Sequence, residues 1–411
     1  MTALTASGNR LPDGRQRIES LDALRGFAIF GILLINIQVF SGYGFLGVDG
    51  RAGLPGSTHD EAIAALVDVL VRGRFYSLFS LLFGYSFVMM AQKTPGNARS
   101  IHLRRMLGLF LVGIAHSVLF WPWDILVLYA LLGMLLPPFL RCRPQTLAVA
   151  GLVALMTAAL ASFFGPVIGL PDSRGEFATQ ALQDSVPVLA GGHYIEVVRA
   201  NLLLTVSIFV EWLQGLRPLR VFAMFLLGAA AATLGLAAPG TTHGRLIWTA
   251  MLIGLGLGLV LAIVGRQLDP DTLMLRAVWV AANTGEAPLL AIGYAAILTL
   301  WWNSASMIAR ATRSALAPVG RMALTNYLLQ SVVCVPLFYG FGIGWFANLS
   351  LGSLILFSVA LFLCQMVFSK LWLHFFRQGP VEWLWRCQTH GKRLTMRQAH
   401  KIRPSASRPT G

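Results

Sequence analysis

His116 and Asp124 stand eight residues apart in Gly113-Ile-Ala-His-Ser-Val-Leu-Phe-Trp-Pro-Trp-Asp124-Ile-Leu-Val-Leu-Tyr129, close to where two long apolar segments meet. Ionisable groups are costly in hydrocarbon, so a histidine or aspartate at such a place points to function when it faces protein or water. A histidine serves as a general base when a neighbour fixes its tautomer, and Asp124 is the candidate neighbour. The plainer alternative makes Asp124 a helix cap at an aromatic corner formed by Trp121 and Trp123, with His116 a hydrogen-bonded packing residue. For Asp124 the cap is favoured and does not exclude the second role. For His116 function is favoured, because the surrounding helix offers so little else that is polar.

Three further motifs carry polar groups in apolar surroundings. Ser20-Leu-Asp-Ala-Leu-Arg-Gly26 has Asp22 as an N-cap, Arg25 as a snorkelling residue and Gly26 for close packing, although Arg25 also suits a phosphate or carboxylate. Asn36, about ten residues on, needs partners if buried. In Arg74-Phe-Tyr76-Ser77-Leu-Phe-Ser80-Leu-Leu-Phe-Gly84, Ser77, Ser80 and Gly84 recur on one helix face that should turn into a bundle, and Arg74 is either an anchor or an anion ligand. In Pro318–Ser331, Arg321 opens an apolar helix on which Asn326 and Gln330 are one turn apart, as a binding surface or as a polar helix–helix seam. Gly379-Pro-Val-Glu382-Trp-Leu-Trp-Arg386 reads as a short, mainly structural amphipathic helix with proline at its first position. The sequence contains no P-loop, GxGxxG, HExxH or GxSxG pattern, so ATP-driven coupling and zinc proteolysis have no support.

The elements that must hold these residues are transmembrane helices. Of 411 residues 56% are hydrophobic and 12% charged, half the share usual in a soluble domain, which is about 25%, and the mean hydropathy is +0.68. Continuous apolar runs at 23–41, 74–91, 106–121, 124–140, 145–164, 199–215, 219–237, 246–265, 286–302, 322–340 and 351–372 predict an all-α, polytopic transmembrane helical bundle. Basic residues at both ends place both termini in the cytoplasm and require an even number of crossings, so ten or twelve rather than eleven. Two regions leave that open: 266–302, which reads as two spans or a broken helix around Thr284-Gly285-Glu286, and 199–215, interrupted by Glu211 and Gln214.

The regions divide as a basic cytoplasmic N-terminus (1–20), an N-terminal transmembrane region with the polar site (21–165), an extracytoplasmic loop (166–198), a C-terminal transmembrane region (199–389) and a basic cytoplasmic tail (390–411). The long connections 42–73, with a helix-like piece from Asp60 to Arg72, and 165–198, with Asp172, Glu176, Asp184 and Glu196, suit a lid or a substrate mouth. The run at 23–40 is too long for a cleaved signal core. A net charge of +15 gathers at Arg10, Arg15 and Arg17, at Arg99, Arg104 and Arg105, at Arg141 and Arg143, and in a tail with Lys392, Arg393, Arg397, Lys401, Arg403 and Arg408. Clusters flanking spans fit cytoplasmic loops and anionic lipid rather than nucleic acid. Cys142, Cys334, Cys364 and Cys387 lack metal-ligand spacing, so free thiols and no metal site are expected.

Taken in order, Ser20–Gly26 with Gly31 and Asn36, Arg74–Gly84, His116–Tyr129, Gly320-Arg-Met-Ala-Leu-Thr-Asn-Tyr327 with Gln330-Ser331, and Gly379–Arg386 resemble the bacterial YeiB-type membrane proteins, a family of unknown function. The resemblance runs from Leu21 to about Thr389 and implies the bacterial inner membrane. That family is more distantly similar to the transmembrane acyltransferases typified by heparan-α-glucosaminide N-acetyltransferase. Those enzymes share a Leu-Asp-x-x-Arg-Gly opening and a membrane-embedded histidine, and pass an acyl group from cytoplasmic acyl-CoA to an extracytoplasmic sugar.

The expectation drawn from this resemblance is an acyltransferase whose acceptor is a small-molecule or glycan hydroxyl or amine. His116 acts as base with Asp124. Arg25 and Arg321, with Arg104 or Arg105, hold the phosphates of acyl-CoA, a co-substrate rather than a tightly bound cofactor. Asn36, Arg74, Tyr76, Tyr129, Asn326 and Gln330 position the substrate. The alternatives are a transporter of a small polar or anionic solute with a broken helix near Gly285, and a structural scaffold.

Overall fold

The computed structural model describes residues 19–94, 96–164, 176–237, 241–268 and 272–398. The expectations for Arg10, Arg15, Arg17, Asp172, Lys401, Arg403 and Arg408 lie outside those residues. In chain order the helices are α1 (Glu19–Phe40), α2 (Val48–Ala52), α3 (Asp60–Leu70), α4 (Arg74–Lys93), α5 (Ala98–Leu119), α6 (Leu126–Gly133), α7 (Pro144–Phe164) and α8 (Glu176–Gly191). They continue as α9 (Tyr194–Gln214), α10 (Arg217–Thr233), α11 (Gly244–Gln267), α12 (Leu273–Trp302), α13 (Met307–Arg321), α14 (Ala323–Phe338), α15 (Leu351–Phe375) and α16 (Pro380–His390). Among the described residues there is no strand, only an isolated bridge between Phe376 and Arg397. The chain is an all-α polytopic bundle.

Six described helices are long and apolar enough to cross a bilayer, namely α1, α5, α7, α11, α12 and α15, and α9 with α10 makes a further pair bent by 70°. Their outward faces are apolar: Leu356, Leu363, Val367 and Leu371 line the exposed side of α15, and Leu252, Leu257 and Val260 that of α11. Polar side chains such as Ser77, Ser80, Asn326 and Gln330 turn inward. That inversion suits a hydrocarbon solvent, in which a hydroxyl or amide needs protein partners.

Four expectations about elements are revised. The predicted span 124–140 holds only the eight-residue α6, followed by a 3₁₀ turn at Pro137–Arg141. Pro137 and Pro138 lack the N–H groups a helix needs and clash with the preceding turn. The region 266–302 has, among its described residues, neither two spans nor a break at Thr284-Gly285-Glu286. Its described part is the single 30-residue α12, with Thr284-Gly285-Glu286 and Pro288 inside it. Close packing on α11 sustains this helix; a Cβ on Gly254 would lie 2.6 Å from the Gly293 nitrogen. The break falls instead between α9 and α10, where Leu216 adopts φ 53° just ahead of Pro218. Finally, α13 was not anticipated, because its basic face disguises it from an apolar count.

The long 42–73 connection is fastened. Asp60, at the start of α3, accepts the Leu351 and Gly352 N–H groups at 2.7 and 3.0 Å and so caps α15. A carboxylate at a helix N-terminus satisfies orphan donors and the helix dipole together. The described end of the 165–198 connection is helical, as α8. Cys142, Cys334, Cys364 and Cys387 are free.

Two crossings let backbones touch. A Cβ on Gly320 of α13 would lie 1.7 Å from the Asp22 carbonyl oxygen of α1, and one on Gly26 would lie 2.4 Å from that of Leu316. On α4 and α10, Gly84 and Gly228 stand in the same reciprocal relation, each 1.9 Å from the facing carbonyl oxygen of Phe225 or Leu81. No side chain fits at either crossing. Gly84→Ala and Gly228→Ala should each destabilise the protein by about 1–3 kcal/mol through overpacking. Gly256→Ala, whose added Cβ meets open space, should be neutral or stabilising by up to about 1 kcal/mol. Thermal unfolding of the purified variants checks this, and equal effects at all three sites contradict it.

Candidate functional site

The end of α5 doubles back on itself. The His116 carbonyl accepts the N–H groups of both Phe120 and Trp121 at 2.9 Å. One turn earlier Gly113 lets α6 pack against α5, for its Cβ would lie 2.8 Å from the Val127 nitrogen. These two features return Asp124 to the side of His116. Their side chains are 0% and 3% exposed, and Asp124 Oδ2 lies 3.2 Å from His116 Nδ1. The contact lacks hydrogen-bond alignment, so both imidazole nitrogens and Oδ2 are buried without a hydrogen-bond partner. The other carboxylate oxygen, Oδ1, accepts the Leu126 N–H at 2.9 Å and the Tyr327 hydroxyl at 3.1 Å. Asp124 is therefore both the cap of α6 and the neighbour of His116. Tyr327 comes from α14, its ring centroid 5.6 Å from that of His116, and Phe120 stacks at 6.2 Å.

A cavity of about 600 Å³ runs from a basic mouth down to this group, within the ~300–1,000 Å³ usual for ligand sites. Its inner end is formed by Ile125, Leu126, Tyr129 and Tyr327. Its mouth gathers Arg25, Lys93, Arg105, Arg321 and Arg386 against the carboxylates of Asp22 and Glu382. Arg25 donates to Asp22 Oδ1 at 2.5 Å and to Ser86 Oγ at 2.7 Å. The Arg105 guanidinium sits 4.8 Å from the Trp385 ring centroid, and Arg321 donates to the Arg377 carbonyl at 3.1 Å.

Glu382 is held by α14. It accepts from the Leu324 N–H at 2.7 Å, the Thr325 N–H at 3.0 Å and the Thr325 hydroxyl at 2.5 Å. Burial pushes its carboxyl above the ordinary range, and the bonds from Thr325 and Leu324 draw it partly back. Nearby His390 is held below its usual value by burial first, then by Arg386, Lys392 and Arg105. Among the described residues that line the mouth there are five cations and two carboxylates, and cationic groups gathered in a concave site favour anions.

The comparisons with known proteins bear on this arrangement. The chain is 32% identical over 402 residues to the uncharacterized protein YeiB of Escherichia coli (strain K12), covering 93% of this chain and 97% of the relative. It is 31% identical over 394 residues to the uncharacterized protein YxaH of Bacillus subtilis (strain 168), covering 91% and 94%. Residues 231–392 match the protein family of unknown function DUF418. The chain belongs to this YeiB-like family. An uncharacterized 39.9 kDa protein from the amylase 3' region of Bacillus acidopullulyticus is 28% identical over 394 residues, covering 92% and 95%. No solved structure matches.

In this YeiB-like chain the other sequence-predicted residues are dispersed over several places. Tyr129 reaches the cavity and bonds Ser80 Oγ at 2.7 Å and the Tyr76 carbonyl at 2.9 Å. Asn326 and Gln330 form the α14–α15 seam: Asn326 donates to Ser369 Oγ at 2.9 Å, and Gln330 to Gln365 Oε1 at 3.1 Å. Arg74 faces α12 rather than His116, paired with Glu286 at 3.0 Å, and Arg266 lies 3.7 Å from the same oxygen. Tyr76 stacks with Arg217, whose guanidinium is 5.3 Å from the ring centroid. Asn36 is half-buried on α1. Of the two arginines proposed beside Arg25 and Arg321, Arg105 lines the cavity and Arg104 is exposed.

Sequence reasoning passed over Tyr327, His102 and Ser86. His102 bonds the Gly133 carbonyl at 2.8 Å and lines the cavity wall. The signal available for Tyr327 was its hydroxyl on an apolar helix, since a buried tyrosine seeks a partner. The geometry separates two losses at Asp124. Asp124→Asn should keep the α6 cap and cost little stability. Asp124→Ala should cost about 1 kcal/mol for the cap and about 1–3 kcal/mol more for the orphaned Tyr327 hydroxyl. Thermal melts of the two variants decide; an alanine variant as stable as wild type removes Asp124 from its structural role.

Proposed function

We propose that the protein is a transmembrane acyltransferase that takes an acyl group from acyl-CoA at the basic mouth and passes it to a hydroxyl or amine. The observation that carries this reading is the single cavity joining five cationic side chains to Tyr327, the residue bonded to Asp124 beside His116. The mouth suits the phosphates of CoA, with Arg25, Arg105 and Arg321 as their donors. The apolar walls, including Ile29, Phe79, Leu82 and Leu109, suit a thioester arm. At the inner end the acceptor oxygen or nitrogen bonds to the acyl carbon, the carbon–sulfur bond breaks, and the acceptor proton passes to His116 Nε2 and on to the departing thiolate. Asp124 Oδ2, 3.2 Å from Nδ1, orients the imidazole for these steps. Tyr327 stands between cavity and imidazole, so the reaction requires its ring to turn aside.

The transporter alternative loses the broken helix near Gly285, because α12 is continuous there. The basic mouth fits a cytoplasmic face, with both termini on that side of a bacterial inner membrane. External thiol labelling of Cys387 in intact cells contradicts that orientation.

Calorimetry on purified protein should detect acetyl-CoA binding, weakened about tenfold or more by Arg25→Gln or Arg321→Gln, the worth of a charge-assisted hydrogen bond. His116→Ala should bind acetyl-CoA nearly as wild type yet lose about 10²–10⁴-fold in acyl transfer, the usual contribution of a general base. No CoA binding by wild type in any lipid sinks this reading, and solute flux without acyl transfer supports transport in its place.

A further inference from the structure

A second cavity, of about 280 Å³, lies on the opposite side of the same short segment. Ile125 and Leu126 face the large cavity, whereas Asp124 and Val127 face the small one. The chain from Asp124 to Val127 is thus a partition between two chambers. The small chamber is walled by Ile114 and Ser117 of α5, Val127 and Leu131 of α6, and Val206 and Phe209 of α9. Among the described residues that line it, Asp124 is the only charged one.

The rim of this chamber coincides with lipid-facing surface. On α5, Leu103, Leu107, Leu111 and Ile114 form an exposed apolar stripe that ends at the chamber. On α9, Leu202, Leu203 and Val206 do the same, and Leu135, in the turn just after α6, leads back to Leu131 of that helix. Three apolar stripes therefore converge on an apolar opening that Asp124 lines, its carboxylate closed off behind the wall. Among protein cavities, one of ~150 Å³ with apolar walls stays dry and takes up benzene, so a chamber of about 280 Å³ has room for a segment of alkyl chain.

We propose that the acyl acceptor is a bilayer-resident amphiphile with a hydroxyl or amine head, which enters sideways between α5, α6 and α9. This rests on the acyl-transfer reading and names its acceptor class. The alkyl chain occupies the small chamber and trails into the bilayer, and the head group reaches Asp124 and His116 from the side opposite the thioester. Donor and acceptor then meet at the partition without sharing an entrance. The acceptor oxygen or nitrogen gains the acyl carbon, the thioester loses its carbon–sulfur bond, and the proton leaves through His116 to the thiolate. Among the described residues that line this chamber, only Ser117, Thr205, Asp124 and Trp212 carry polar side-chain groups, few for a water-soluble sugar.

The test uses full-length protein in lipid nanodiscs and a long-chain alcohol carrying a diazirine, followed by peptide mapping. Label should concentrate in residues 114–131 and 205–212 and be competed by unlabelled decanol. Val206→Trp should abolish most of it by filling the rim. Val206 is 51% exposed, so the larger ring is accommodated without disturbing the fold, and Leu131→Trp gives an independent block. Acetyl-CoA binding, measured on the same samples, should be unchanged by either substitution. Label spread evenly over the lipid-facing sides of α7, α11 and α15, or untouched by both substitutions, overturns the portal while leaving acyl transfer standing. Loss of acetyl-CoA binding in wild type with the label still concentrated overturns acyl transfer and supports the portal as a lipid site.

Discussion

A carboxylate closed off from water must be paired or hydrogen-bonded, or it becomes neutral. Asp124 meets that demand with groups from three helices: the first free N–H of α6, the Tyr327 hydroxyl of α14 and the His116 imidazole of α5. Satisfying one oxygen thereby ties the early helices of the chain to a late one. The remaining features serve this junction. Gly113 lets α6 approach α5, the prolines at 137 and 138 stop α6 after two turns, and Glu382 of α16 caps the helix that carries Tyr327. The arrangement leaves both imidazole nitrogens of His116 buried without a hydrogen-bond partner.

The mouth and the junction are mechanically linked. Glu382 holds the N-terminus of α14, and Trp385, one turn further along α16, donates to the Arg105 carbonyl of α5 at 2.7 Å while stacking under its guanidinium. The short amphipathic α16 therefore braces the two helices that supply Tyr327 and His116. Arg105 and Arg386, which line the mouth, thus sit on α5 and on the brace α16 itself.

The sequence made the bundle and its polar sites legible to different depths. Long apolar runs identified the bilayer class, because hydrocarbon thickness imposes a length that composition alone reveals. The pairing of His116 with Asp124 was legible because both are ionisable groups within one short stretch, and Asn326 with Gln330 because one helical turn separates them. The pairing of Arg74 with Glu286 was not legible for a physical reason. Glu286 lies more than two hundred residues away in sequence, and only the docking of α4 on α12 brings them together. The continuity of α12 through Pro288 and the bend at Leu216 are likewise properties of packing, which local propensity does not contain. Tyr327 stood in a recognised motif yet received no role, because its bond depends on which helix faces Asp124.

The central claim is that one cavity delivers a thioester from the cationic mouth to the His116–Asp124–Tyr327 junction. The most direct measurement is a structure of the protein in a lipid nanodisc with a non-hydrolysable thioether analogue of an acyl-CoA. The account predicts phosphates among Arg25, Arg105 and Arg321, the pantetheine arm along Leu82 and Leu109, and the acyl carbonyl beside Tyr327 and within reach of His116 Nε2. An analogue bound elsewhere, or one whose acyl end points away from the junction, contradicts it.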